Sequence, residues 1–186
     1  GGLAKGAAVM SWRGMKGGIE AAKMGHEVVM TPTTYAYLDY TQGDHTVELP
    51  IYADLSLHKT YDFEPIPDGV EAKYILGGQG NLWTEQVPTL RHAFYMTYPR
   101  AFALAETFWS PKEKKEWNGF VGRVENHFSR FEAQDLAVSH AIYDPIVKTS
   151  KEGDKLICTI TSDVQNTEIF YTLDNSFPDK FTPKYE

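Results

Sequence analysis

Three short apolar runs, set apart by helix-like stretches, constrain this chain more than any other feature. "GAAVMSW" (Gly6 to Trp12), "EVVMT" (Glu27 to Thr31) and "AKYILG" (Ala72 to Gly77) read as strands, the second ending at Pro32. Between the first two, "KGGIEAAKMGH" (Lys16 to His26) predicts a short helix with Ile19, Ala22 and Lys23 on one side and Gly25 as its stop. After the third, residues 88–109 turn helical, with Leu90, Phe94, Ala101, Ala105 and Phe108 among the apolar positions and Pro99 placed to kink or split the helix. "EKKEWNGFVGRVENHFSRFEAQDL" is a further amphipathic helix, striped by Trp117, Phe120, Val124, Phe128 and Phe131. Strand, helix, strand, long connection, strand, helix is a βαβ alternation, which calls for parallel strands with helices packed outside them.

In such α/β folds the chemistry lies at the C-terminal ends of the strands. The first strand ends at Trp12, the second is followed by Tyr37 and Asp39, and the third by "GGQGNLWTEQV", which holds Trp83 and Glu85. Each end delivers a ring to one face, and two also deliver a carboxylate. The aromatic, proline-punctuated segment from Tyr35 to Asp68 is longer than ordinary connections, and long connections in compact domains tend to be functional. Its Tyr35, Tyr40, Tyr52 and Tyr61 are expected to pack it down.

From about Tyr143 the texture changes to β-branched runs separated by Gly, Asp and Asn turns, the pattern of an antiparallel β module. A boundary at Asp144-Pro145 divides the chain into residues 1–143 and a small module over 144–186, which reads as incomplete. The formal net charge of −7 argues against nucleic-acid or anionic-membrane partners, which favour a basic face. No apolar run reaches the length of a membrane span. The single cysteine, Cys158, excludes an internal disulfide and reads as a buried strand thiol in "KLICTI". The six histidines lack metal-ligand spacing, so no metal site is expected. "GGQG" has neither the lysine of a phosphate loop nor the spacing of a dinucleotide fingerprint. Ser11 has no flanking glycines of a nucleophile elbow, and Arg13 is expected in a rim salt bridge.

Sugars have apolar C–H faces and hydroxyl edges; a tryptophan ring packs on the first and a carboxylate accepts hydrogen bonds from the second. Trp83 and Glu85, two residues apart on a non-helical turn, can serve one such ligand. Alternatively, Trp83 covers the core and Glu85 is an acid favoured by a helix N-terminus. The convergence of Trp12, Tyr37 and Asp39 at neighbouring strand ends favours the carbohydrate pocket.

The motifs "AAVMSWRG", "TPTTYAYLDY" and "GGQGNLWTEQV" resemble the last three strand ends of family 20 glycoside hydrolases, the β-N-acetylhexosaminidases. The resemblance runs from Gly1 to about Ala133, and "EIFYTLDNSFPD" is similar to the small β module that follows the barrel in many bacterial members. It implies the C-terminal part of a (β/α)8 barrel that removes terminal β-linked N-acetylglucosamine or N-acetylgalactosamine from glycans without a cofactor. It further implies substrate-assisted catalysis, in which the 2-acetamido oxygen attacks the anomeric carbon. On this reading Trp12 and Trp83 line the acetamido pocket and the sugar's underside. Tyr37 donates a hydrogen bond to the acetamido oxygen, Asp39 holds O6 and Glu85 holds O4. The family's catalytic pair is an adjacent Asp-Glu on the fourth strand, and no Asp-Glu dipeptide occurs in this sequence. By motif order the chain starts just before the sixth strand, so it is expected to be an inactive C-terminal piece. The family also implies a periplasmic or extracellular location. The rivals are a non-catalytic carbohydrate-binding or accessory module and a different β/α enzyme built on Asp39 and Glu85. An open three-stranded sheet leaves some of Val9, Val28, Val29, Ile75 and Leu76 facing water, which predicts self-association of the sheet or, alternatively, a local rearrangement that buries them.

Overall fold

The computed structural model describes residues 2–45, 48–49 and 51–185. It divides into two compact units, Gly1–Ala141 and Ile142–Glu186. In the first unit β1 (Val9–Ser11), β2 (Val28–Met30) and β3 (Ile75–Gly78) form one parallel sheet in the order β1-β2-β3. The register pairs Val9 with Val28 and Ser11 with Met30, and then Val28 with Ile75 across an irregularity at Val28/Val29. The third strand is shorter than its apolar run because Ala72–Tyr74 winds into a 3-10 turn first.

Helix α1 (Lys16–Lys23) stops where expected: Gly25 takes φ +84, its N–H reaches Ala22 O at 2.9 Å, and His26 N–H reaches Ala21 O at 3.0 Å. This αL closure satisfies carbonyls the helix would otherwise leave bare. The buried face is Gly18, Ala21 and Ala22, and Lys23 is exposed, contrary to the expected grouping of Ile19, Ala22 and Lys23. Close approach selects this face: a Cβ on Gly18 would come within 2.8 Å of Ser11 Cβ and 2.9 Å of Met30 Cε. Ser11 ties the two elements together, donating to Gly14 O at 2.7 Å and accepting from Gly18 N at 2.9 Å.

The long segment is not a loop throughout. It begins within α2 (Thr33–Ala36) and contains α3 (Leu57–Tyr61), the latter capped by Ser56, whose hydroxyl accepts from Lys59 N. Tyr35 stacks on Phe63 at 5.3 Å and Tyr61 on Phe120 at 4.4 Å, so these two pack the segment down. Tyr52 does not; it is 70% exposed.

Pro99 splits the next helix into α4 (Leu90–Thr97) and α5 (Arg100–Trp109), and Thr89 caps α4. The break shifts the helical phase, which a single period drawn through residues 88–109 misses. The buried stripe of α5 is therefore Arg100, Ala103, Leu104 and Thr107, while Leu90 and Ala105 are exposed. Helix α6 (Trp117–Glu132) starts on Glu116, whose carboxylate accepts from the N–H groups of Asn118 and Gly119, and it buries Phe120, Val121 and Val124. The core lies on one side of the sheet, where Val28 and Met30 meet Ala21, Ala22, Leu38, Phe63 and Leu104. On the other side Met10 and Leu76 are exposed.

In the second unit β4 (Ile146–Glu152) and β5 (Lys155–Thr161) form an antiparallel hairpin, and Phe170 bridges antiparallel to Lys184. Cys158 lies on β5 as a strand residue but is exposed, not buried. All of β4 is exposed as well, since a two-stranded ribbon has two faces and only a covered face buries its side chains.

Candidate functional site

The three strands end at one cleft of about 750 Å³, lined by Trp12, Tyr37, Asp39, Trp83 and Glu85 together. Trp12 directly follows β1; its carbonyl accepts from Thr33 N at 2.9 Å, and the guanidinium of Arg13 lies 4.6 Å from its ring centre. Arg13 thus supports a site ring by cation–π contact.

Tyr37 ends α2 in extended backbone and bridges parallel to Asn81, so the loop after β2 continues as a short ladder beside the loop after β3. Leu38 N–H donates to Asn81 O at 2.6 Å, and Asn81 N–H donates to Ala36 O at 2.8 Å. The Asn81 side chain donates to the Thr31 hydroxyl and accepts from Gln79 Nε2. This stitching carries the Tyr37 and Trp83 segments on a shared frame.

Asp39 is 4% exposed, yet its Oδ1 has no hydrogen-bond partner. A buried acceptor left unmatched is costly, and facing a cleft leaves it free to take a hydroxyl from a bound ligand. Burial pushes the Asp39 carboxyl above the ordinary carboxylate range, and the nearby Glu85 charge adds to this; its own backbone N–H, the Trp83 N–H and the field of Arg100 oppose it.

Gly78 and Gly80 explain the glycine-rich turn. A Cβ on Gly78 would stand 2.3 Å from Phe108 Cε1, and one on Gly80 would stand 2.5 Å from Leu104 Cδ1. The turn thus packs directly on α5 before it releases Trp83, which is 52% exposed. Glu85 sits in a turn closed by Val87 N–H to Thr84 O at 3.1 Å, well ahead of the Thr89 cap. It is therefore not a first-turn acid of α4, and Trp83 keeps about half of its surface open to the cleft.

The cleft also takes in residues that sequence reasoning did not single out as site residues: Met10, Thr31, Thr33, Tyr40, Tyr52, Gln79 and Asn81. Gln79 and Asn81 belong to the quoted glycine-rich motif, where their polarity between strand and tryptophan was a readable signal. Tyr52 sits at φ +54, an unusual backbone region for a bulky residue. It also lines an adjoining cavity of about 590 Å³ with Glu48, Gln86 and His92. Among the described residues no cluster of His, Cys, Asp and Glu has the arrangement of a metal site, and no helix is long and apolar enough to cross a membrane.

Residues 2–112 match the family described as Glycosyl hydrolase family 20, catalytic domain. A beta-hexosaminidase of Porphyromonas gingivalis is 38% identical over 96% of this chain and 24% of its own length. A beta-N-acetylhexosaminidase of Cellulomonas fimi is 36% identical over 59% of this chain and 23% of its own. The chain thus spans about a quarter of the length of these curated relatives. Among solved structures, an exo beta-N-acetylglucosaminidase of Vibrio harveyi in complex with N-acetylglucosamine superposes with a TM-score of 0.65 at 30% identity. That match covers 72% of this chain and 22% of the other.

Proposed function

Because the chain belongs to glycosyl hydrolase family 20, we propose that it carries the sugar-recognising strand ends of an exo-β-N-acetylhexosaminidase. Its three parallel strands are read as the last part of a (β/α)8 barrel, and residues 144–186 as part of a small β module that follows it in the sequence. The substrate class is glycans that end in β-linked N-acetylglucosamine or N-acetylgalactosamine. The observation that supports this reading is the meeting of Trp12, Tyr37, Asp39, Trp83 and Glu85 in one cleft.

In the proposed reaction Trp12 and Trp83 pack on the sugar and its acetamido group. Tyr37 donates its phenolic hydrogen to the acetamido oxygen, Asp39 accepts from the O6 hydroxyl and Glu85 from O4. The acetamido oxygen attacks the anomeric carbon as the glycosidic C–O bond breaks, giving an oxazolinium-type intermediate that water then opens. The departing oxygen takes its proton from a general acid. The adjacent Asp-Glu that serves this role in the family is not in this sequence.

The direct test is titration of the chain with N-acetylglucosamine, followed by tryptophan fluorescence. Binding that is lost in Trp83→Ala and absent for glucose supports the reading; equal binding of both sugars overturns it. The missing Asp-Glu favours a second reading for the isolated chain, that of a non-catalytic binding module. General acid catalysis supplies roughly two to four orders of magnitude, so a nitrophenyl N-acetylglucosaminide should turn over near background. Clear turnover abolished by Glu85→Gln would instead favour an enzyme built on Asp39 and Glu85. A periplasmic or extracellular location is proposed on the family likeness alone, and fractionation of cells probed for this chain checks it.

A further inference from the structure

We propose that Arg100 is a positioning residue of the cleft: its guanidinium clamps the backbone carbonyls on either side of Asp39 and so aims that carboxylate at the sugar. Arg100 is the first residue of α5 and is fully buried. Nη1 donates to Tyr40 O at 2.9 Å and Leu55 O at 3.0 Å; Nη2 donates to Leu38 O at 2.6 Å and Met96 O at 2.8 Å. All four partners are neutral carbonyls drawn from three separate stretches of chain. Two of them belong to the residues that flank Asp39.

Leu38 is held at both ends, its N–H by Asn81 O and its C=O by Arg100. The peptide after Asp39 is held separately, Tyr40 N–H donating to Tyr37 O at 3.3 Å, and Arg100 anchors that same residue through Tyr40 O, so the Cα–Cβ direction of Asp39 has little freedom. The Trp83 backbone N–H lies close enough to the Asp39 carboxylate to favour its charged form. Taking a cation out of water is expensive, and an apolar side chain fills a core at less cost. A guanidinium at this place is therefore explained better by what it holds than by stability alone. Its planar fork meets four acceptors at once, which a lysine ammonium cannot reproduce. Burial lowers its pKa to about 9, so it remains a cation at neutral pH, facing the charges of Glu48 and Asp39.

The proposal rests on the reading of Asp39 as the acceptor of the sugar's O6 hydroxyl, and two measurements on Arg100→Lys and Arg100→Gln separate the two ideas. The first is the affinity ratio of N-acetylglucosamine to its 6-deoxy analogue. A hydrogen bond to a charged acceptor makes that ratio about tenfold or more in the unaltered chain. In Arg100→Lys it should fall below about threefold, as the clamp is lost. A purely structural role would weaken both sugars by one factor and leave the ratio intact, which would overturn the proposal.

The second is the carboxyl carbon titration of Asp39 by NMR, without sugar. The groups facing Asp39 are Arg100, Glu85, Tyr40, its own backbone N–H and the Trp83 N–H. The Asp39 midpoint should rise in Arg100→Gln and return toward its starting value in Arg100→Lys, which keeps the charge. An unmoved midpoint in folded Arg100→Gln overturns the proposal. If the unaltered chain fails to distinguish the two sugars, the O6 reading fails, and the Asp39 titration alone then decides the role of Arg100.

Discussion

Asp39 and Tyr37 lie two residues apart, yet physical chemistry gives them different tasks in the proposed reaction. Burial makes the charged form of Asp39 harder to reach, so its carboxyl titrates above 3.8. Because the carboxylate is the form that accepts a hydroxyl, affinity for N-acetylglucosamine should weaken as pH falls through that raised midpoint. The stability term has the opposite sign: the folded chain holds the proton more tightly than the unfolded chain, so Asp39 adds stability as pH falls toward 3.8. A pH series of sugar affinity, set beside thermal melts, resolves the two. Asp39→Asn should remove the acid limb of binding; a limb that persists in that variant would point to another group. Tyr37→Phe is expected to act on the barrier. In a complete enzyme that contains this chain, kcat should fall by roughly 10²-fold, as for loss of one oxyanion donor, with a smaller change in KM. Steady-state kinetics check this, and an unchanged kcat would remove the acetamido role.

At the scale of elements, close approach governs more than propensity does. Gly18→Ala gains about 1 kcal/mol of helix propensity. The added methyl, however, must displace Ser11 Cβ and the Met30 thioether, an overpacking worth about 1–3 kcal/mol. The net expectation is neutral to destabilising, read by urea melts. Gly78→Ala meets a harder obstacle, because its Cβ would stand 2.3 Å from Phe108 Cε1 and 3.0 Å from the Met30 carbonyl oxygen, which is backbone and cannot swing away. It should cost more than Gly18→Ala and also disturb Trp83, so a blue-shifted or quenched tryptophan emission should accompany the lost stability. Ser56→Ala removes the cap of α3 and should cost about 1 kcal/mol; a change near zero would show that Leu57 and Tyr61 hold that helix through packing alone. The strand ends, Gly25 and Pro99 were legible because each carries a local signal. The buried faces of α1 and α5 were not, since a helix cannot announce from its own period how near its neighbour comes or where a break shifts its phase.

For the whole molecule, the sheet has a covered side and a bare one. Among the described residues β1 and β3 are its edge strands, and Met10 and Leu76 on them are 49% and 57% exposed. Val28, by contrast, is completely buried against the helices, so the residues expected to face water divide between the two sides. Edges and apolar faces of this kind pair readily with another copy. The chain is expected to self-associate at micromolar concentration, and Leu76→Lys should weaken that association. Light scattering that finds a monodisperse monomer across this range would count against it.

What the sequence determined by itself was whatever is encoded locally or in order. This covers the βαβ alternation, the turn residues that end each run, and the three motifs whose rings and carboxylates follow successive strands. Parallel strands in one sheet send their C-terminal ends to one side, so strand order alone gathers Trp12, Tyr37, Asp39, Trp83 and Glu85 on one face. Tertiary structure alone decided what holds them. Arg100 reads as one cation in an apolar helix, and only the folded chain brings Leu38, Tyr40, Leu55 and Met96 to its donors. Cys158 shows the converse: its apolar strand context predicts burial, but burial needs a second layer, and the exposed ribbon has none over that residue. Local backbone preference travels with the sequence, whereas desolvation depends on which distant segments arrive, and only the fold supplies them.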